Sequence, residues 1–146
     1  MNIVMMALHS MRPSRTCDMQ AIAKPLWIRK GYDAMTFFGT IITHTKQEAE
    51  AFNRRFDSLK NHEMIHLYQA RSTHDSWLCF YLRYGWYWLY AILGSRCHNA
   101  GYRLNPFELE AYRHMDNLSY LRGKHEATEW QQYARMPLKE RLKYTS

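Results

Sequence analysis

The chain divides by the spacing of its apolar positions. From Lys46, KQEAEAFNRRF sets Ala49, Phe52 and Phe56 at intervals of three and four among charged residues, the period of a helix with one buried face. Asp57 or Ser58 is placed to cap a second helix through SLKNHEMIHLYQA, with Leu59, Ile65, Tyr68 and Met64 toward the core. Upstream, GYDAMTFFGTIITH (31–44) is rich in Thr, Phe and Ile and reads as a strand, with Gly39 a bulge or a point of close backbone approach. Residues 1–25 show no period and end at Pro25, so 1–30 read as a loosely ordered lead-in to a single domain over 31–146.

Further along, WLCFYLRYGWYWLYAILG (Trp77–Gly94) reads as a long buried helix, and RCHNAGYR (96–103) as a loop because of Asn99 and Gly101. NPFELEAYRHMDNLSYLR (105–122) predicts a helix with a well-marked start. Asn105 can cap it, Pro106 suits the first helical position, Glu108 occupies the capping-box position, and Gly123 is placed to end it. Another helical stretch spans about 126–135 and stops near Pro137. The expected fold class is α+β and mostly helical, a small antiparallel-type sheet packed on the helix that carries HEMIH, with the aromatic helix as scaffold.

Composition adds boundaries. At 146 residues, 47% hydrophobic and 23% charged, the chain has the length and balance of one folded domain, and 15% aromatic content points to a core of large rings. The net charge of +7 raises an anionic partner, but the basic residues are spread along the chain without an RNP-like or zinc-finger pattern, so no nucleic acid is expected. Three cysteines without CxxC spacing fit reduced thiols in a cytoplasmic protein. The stretch from Trp77 carries Arg83 near its middle and is rich in Tyr and Trp, so no membrane span is expected.

The chemistry lies in NHEMIHLYQA (61–70). Residues four apart share a helix face, so His62 and His66 can aim their rings at one point, and two neutral imidazoles suit Zn²⁺. Glu63 projects beside that point, where a general base for a zinc-activated water belongs. The short HExxHxxGxxH spacing is absent, since Gln69 and Ser72 stand where Gly and His would, so the third ligand must be distant. Glu108 and Glu110 point about 200° apart on a helix, so only one can face the metal. With Glu108 assigned to the capping box, Glu110 beside Ala111 is the expected ligand, and His98, His114 and His74 are alternatives.

HEMIH with a later Glu-Ala helix resembles the gluzincin zinc metallopeptidases, and HEMIHLYQ with FELEAY is similar to small uncharacterised bacterial proteins carrying HExIHxxQ and FExEAY segments. The resemblance covers about residues 31–122. It implies one Zn²⁺ held by His62, His66 and Glu110, with Glu63 as general base, and a peptide substrate extended along the strand Met35–Thr43. The chain departs from the thermolysin type in carrying His114 four residues after Glu110, where an aspartate would orient a zinc histidine; Gln69 or Asp116 could substitute. Donors to a developing oxyanion are sought among Tyr112, His114, Tyr120 and Arg113, with Tyr112 and His114 first because they flank the ligand. Two other readings compete: a zinc-bound structural or interaction module without turnover, and a basic nucleic-acid-binding domain in which HEMIH is incidental.

Overall fold

A computed structural model of the chain describes residues 21–24, 34–37, 39–54 and 57–145. Three short strands come first: β1 (Ala21–Ala23), β2 (Ala34–Phe37) and β3 (Thr40–Thr43). The sheet order is β1-β3-β2, with β1 parallel to β3 and β2 antiparallel to it. The class is α+β, but the antiparallel-type sheet expected from sequence is corrected to a mixed one.

The expected single strand over 31–44 is a hairpin, because Gly39 adopts φ +79°, a left-handed conformation that turns the chain between β2 and β3. Close approach is also present, since a Cβ on Gly39 would stand 3.2 Å from the Trp77 ring. β1 belongs to the stretch read as lead-in, and its pairing with β3 draws residues 21–23 into the domain. Residues 1–20 and 25–30 of that lead-in, and Phe56, lie outside the described residues.

Helix α1 (Lys46–Arg54) opens with reciprocal bonds, Glu48 N–H to Thr45 Oγ1 at 3.1 Å and Thr45 N–H to Glu48 Oε2 at 2.9 Å, and buries Ala49 and Phe52. Its Asn53 side chain fixes β1, accepting from Ala21 N–H at 2.7 Å and donating to Ala21 O at 3.3 Å. Helix α2 (Ser58–Ser72) is capped by Asp57, whose carboxylate accepts from Lys60 N–H at 3.1 Å.

The pattern predicts one buried face for α2, yet every residue from Lys60 to Ala70 is buried. The polar ones persist inside because they find partners: Lys60 Nζ donates to Asn53 O at 3.2 Å, and Asn61 Nδ2 faces the carbonyls of His114, Met115 and Asn117 at 2.9–3.1 Å.

Helix α3 (Trp77–Ser95) is capped by Ser76. It buries Trp77, Phe80 and Ala91, and packs Tyr81, Tyr84 and Tyr87 against the core, at spacings of three and four. The long buried helix expected here is therefore buried on one side only, since Leu78, Leu82, Trp86, Leu89 and Leu93 are exposed. No helix among the described residues is long and apolar enough to cross a membrane.

The expected loop at 96–103 contains a short helix, α4 (Ala100–Arg103). There Gly101 is a packing residue rather than a turn residue, as a Cβ would fall 2.7 Å from the Trp88 ring and 2.9 Å from Ile92.

Helix α5 (Pro106–His114) starts as predicted, with Asn105 Oδ1 accepting from Phe107 N–H at 3.2 Å and Pro106 in the first turn. It ends at His114, eight residues before the expected end at 122. Asn61 takes the carbonyls of His114, Met115 and Asn117, and Asn117 Oδ1 turns the chain by accepting from Ser119 N–H at 3.2 Å and Oγ at 2.8 Å. Helices α6 (Trp130–Arg135) and α7 (Leu138–Arg141) complete the domain, with a 3₁₀ turn at Leu142–Tyr144. The core joins Ile41 and Phe52 to Ile65, Leu67, Phe80, Phe107 and Trp130, so α2 lies between the sheet and α5.

Candidate metal centre

One turn of α2 separates His62 from His66, and their Nε2 atoms converge to 3.2 Å. Across from them, α5 contributes Glu108. Its Oε2 is 3.4 Å from His62 Nε2 and its Oε1 is 3.5 Å from His66 Nε2. All three side chains are buried, and one ligating atom from each lies within 4.8 Å of the others.

The expected ligand Glu110 is elsewhere. Its carboxylate is fully buried and accepts four hydrogen bonds: Gln69 Nε2 at 2.9 Å, Tyr120 Oη at 2.8 Å, Glu129 N–H at 3.1 Å and Trp130 N–H at 3.0 Å. The two glutamates do point apart, but with their tasks exchanged. Asn105 caps α5 with its own side chain while its backbone N–H donates to Tyr102 O at 3.1 Å, so the capping-box bond assigned to Glu108 is not needed. Glu108 is left to face the histidines, and Tyr84 Oη donates to its Oε1 at 2.7 Å.

Gln69 connects the two glutamates. Its Nε2 donates to Phe107 O and to Glu110 Oε2, both at 2.9 Å, which leaves Oε1 facing His66 Nδ1 at 2.8 Å. Two acceptors on the amide nitrogen fix the amide's orientation, and Oε1 then requires the proton on His66 Nδ1. The Nε2 lone pair is thereby directed at Glu108 and His62. Gln69 is placed where the orienting partner of a metal-binding histidine stands. Among the described residues, His62 Nδ1 has no hydrogen-bond partner in its buried position.

Electrostatics bind the cluster together. Burial alone would raise the Glu108 carboxyl, but the two imidazoles and the hydrogen bonds from His62 and Tyr84 outweigh it and hold the group down to about 2. Burial would likewise lower His62; the bond and charge of Glu108, with the charge of Glu63, raise it instead. Glu63 is buried on the same helix, and its charge also bears on Tyr84.

The other expected site residues separate. The Tyr112 ring packs edge-on to His62 at 4.6 Å between centroids, and its hydroxyl meets Tyr102 Oη at 2.8 Å. A cavity of about 660 Å³ adjoins this tyrosine pair, lined also by Arg103, Arg113, Lys143 and Tyr144. His114 is not brought to the cluster. It stacks on Tyr120 at 3.7 Å and pairs with Glu129 through Nε2 at 2.7 Å, which corrects its expected place beside the reacting atoms. Tyr120 is bonded to Glu110, and Arg113 to Tyr133 at 3.2 Å. His74 faces Arg83 at 3.2 Å and His98 packs against Trp88, so neither alternative ligand joins the group.

Sequence reasoning missed Glu108 as a ligand, and missed Tyr84 and Tyr102. A signal for Tyr84 existed: Trp77, Phe80, Tyr84 and Tyr87 recur at helical spacing on the side of α3 that faces the core.

The donor set suits a metal. Two atoms each about 2.05 Å from a tetrahedral ion stand about 3.3 Å apart; the two imidazole nitrogens are 3.2 Å apart, and each has a different oxygen of the Glu108 carboxylate beside it, at 3.4 and 3.5 Å. Two imidazole nitrogens and a carboxylate match zinc in catalytic sites, where three protein ligands are usual. Comparison of the chain with protein-family models, curated proteins and solved structures finds no match.

Proposed function

We propose that the chain is a zinc-dependent peptidase of gluzincin-like type in which His62, His66 and Glu108 hold the ion. The observation that carries this reading is the convergence of three buried ligating side chains, two imidazoles and a carboxylate, with one donor atom of each within 4.8 Å of the others. When bound, zinc acidifies water and polarises a carbonyl.

The chain's own residues supply the remaining chemistry. Glu63, next to His62 in sequence and buried with it, takes the proton of the attacking water and later delivers it to the leaving amine. Gln69 holds the His66 ring in the tautomer that leaves Nε2 free to ligate. Tyr112, against the His62 ring, donates to the carbonyl oxygen as negative charge develops there. The peptide adds as a strand to β2 (Ala34–Phe37), one of the two edges of the described sheet and the one nearer α2.

Metal analysis and a peptidase screen test this together. Wild type and Glu63→Gln should each carry about one zinc per chain, Glu108→Ala should carry none, and only the wild type should cleave an unstructured peptide pool. Zinc retained by Glu108→Ala would overturn the ligand assignment. A second reading, a zinc site that ties α2 to α5 without turnover, is favoured by the burial of all three ligands. Zinc in wild type without cleavage of any peptide would select it.

A further inference from the structure

Helix α3 presents Leu78, Leu82, Gly85, Trp86, Leu89 and Leu93 to solvent. At 100° per residue these six fall within an arc of about 100° that contains no charged side chain. Exposure is 66% for Leu82, 64% for Trp86 and 69% for Leu93. Single exposed leucines are ordinary, but a continuous charge-free stripe along a 19-residue helix is not.

Gly85 is the second observation. A glycine inside a helix is unfavourable by roughly 1 kcal/mol relative to alanine, and an added Cβ here would meet nothing within 4 Å. Among the described residues, no contact requires the missing side chain. What Gly85 leaves is a depression beside the indole of Trp86.

The positions also have a symmetry. Leu78 and Leu93 are equidistant from the Gly85–Trp86 bond, and so are Leu82 and Leu89. Two such helices packed antiparallel about a two-fold axis at that bond place Leu78 on Leu93 of the other copy and Leu82 on Leu89. Each Trp86 then enters the depression over the opposite Gly85. A self-complementary patch is what an isologous dimer needs, whereas a bilayer needs neither the symmetry nor the depression. The stripe exposes on the order of 600 Å² per copy, so a pair buries about 1,200 Å², at the lower edge of stable interfaces.

We infer that this face of α3 binds a second copy of the chain, antiparallel, with Trp86 seated over Gly85. The inference is independent of the metal centre, which lies on the opposite side of α3, where Tyr84 turns inward.

Sedimentation equilibrium of the full chain over a concentration series tests it. Wild type should show a monomer–dimer equilibrium. Leu82→Lys, which sets lysine against Leu89 twice in the dimer, should weaken it about 100-fold or more. Leu82→Lys/Leu89→Glu should regain most of the affinity, because each lysine then meets a glutamate of the other copy. Gly85→Leu should abolish the dimer while raising the unfolding temperature of the dilute monomer, a combination that misfolding cannot produce. Wild type that stays monomeric at every concentration overturns the inference, as does a double variant no better than the single one. Dimerisation only after deletion of residues 1–20 would assign the stripe to that segment. Co-sedimentation of a monomeric wild type with phosphatidylglycerol vesicles, lost in Leu82→Lys, would assign it to a lipid surface.

Discussion

Replacing Glu110 by alanine should cost more stability than replacing Glu108, although both are buried carboxylates on one short helix. Glu110→Ala leaves four donors without an acceptor: the Glu129 and Trp130 amides, the Tyr120 hydroxyl and one Gln69 N–H. A stranded buried donor costs about 1–3 kcal/mol. Tyr120 is partly exposed and regains water, so the other three total about 3–9 kcal/mol, a large part of the 5–15 kcal/mol that holds a domain folded. Glu108→Ala strands the Tyr84 hydroxyl and removes the carboxylate partner of His62, at about 1–3 kcal/mol each, but also relieves a buried charge of its desolvation cost. The metal-free variant should therefore lie within about 3 kcal/mol of wild type. Urea unfolding with a chelator present, followed by far-ultraviolet circular dichroism, measures both. A Glu110→Ala variant within about 1 kcal/mol of wild type would show that the network around Glu110 does not hold the fold, and the division of labour between the glutamates would fail with it.

Gln69→Leu should lower zinc affinity about 10- to 100-fold, because the His66 ring loses the acceptor that sets its tautomer; competition with a calibrated chelator reads this directly. Gly101→Ala should destabilise by about 1–3 kcal/mol, since its Cβ is forced against Trp88 and Ile92; the fall in unfolding temperature measures it. Burial pushes the Glu129 carboxyl up, but bonds from Tyr133 and His114 and the charges of His114 and Arg113 outweigh it and leave the group below its usual range. Its contribution to stability is thus complete above the ordinary carboxylate pKa and lost as pH falls through the lowered value. Wild type and Glu129→Gln should converge in urea midpoint between pH 7 and pH 3; a constant gap across that range would refute the assignment.

Local signals were legible where local chemistry decides. The four-residue spacing of His62 and His66 places two imidazoles together in any helix, and Asn105-Pro106 starts α5 by the contacts it was expected to make. What could not be read depends on distant partners. Glu108 and Glu110 are alike in sequence, and the choice between them is made by Gln69, some forty residues away, together with the amides of Glu129 and Trp130. The early end of α5 likewise rests on Asn61, 53 to 56 positions upstream. In α3 the apolar run was read as burial, but apolarity alone does not say whether the neighbour that covers a face belongs to the same chain.

The three donors come from two helices, with His66 and Glu108 separated by all of α3. Unfolding leaves the two histidines as close neighbours along the chain but detaches the carboxylate. The folded chain offers an ion three ligands, and the unfolded chain offers two loosely. Binding and folding are therefore thermodynamically linked: at a free metal concentration 1,000 times the dissociation constant, the folded state gains about 4 kcal/mol. With the proposed zinc bound, its ambient level becomes a variable of the protein's lifetime as well as of its chemistry, and a chelator should act on the molecule as a mild denaturant.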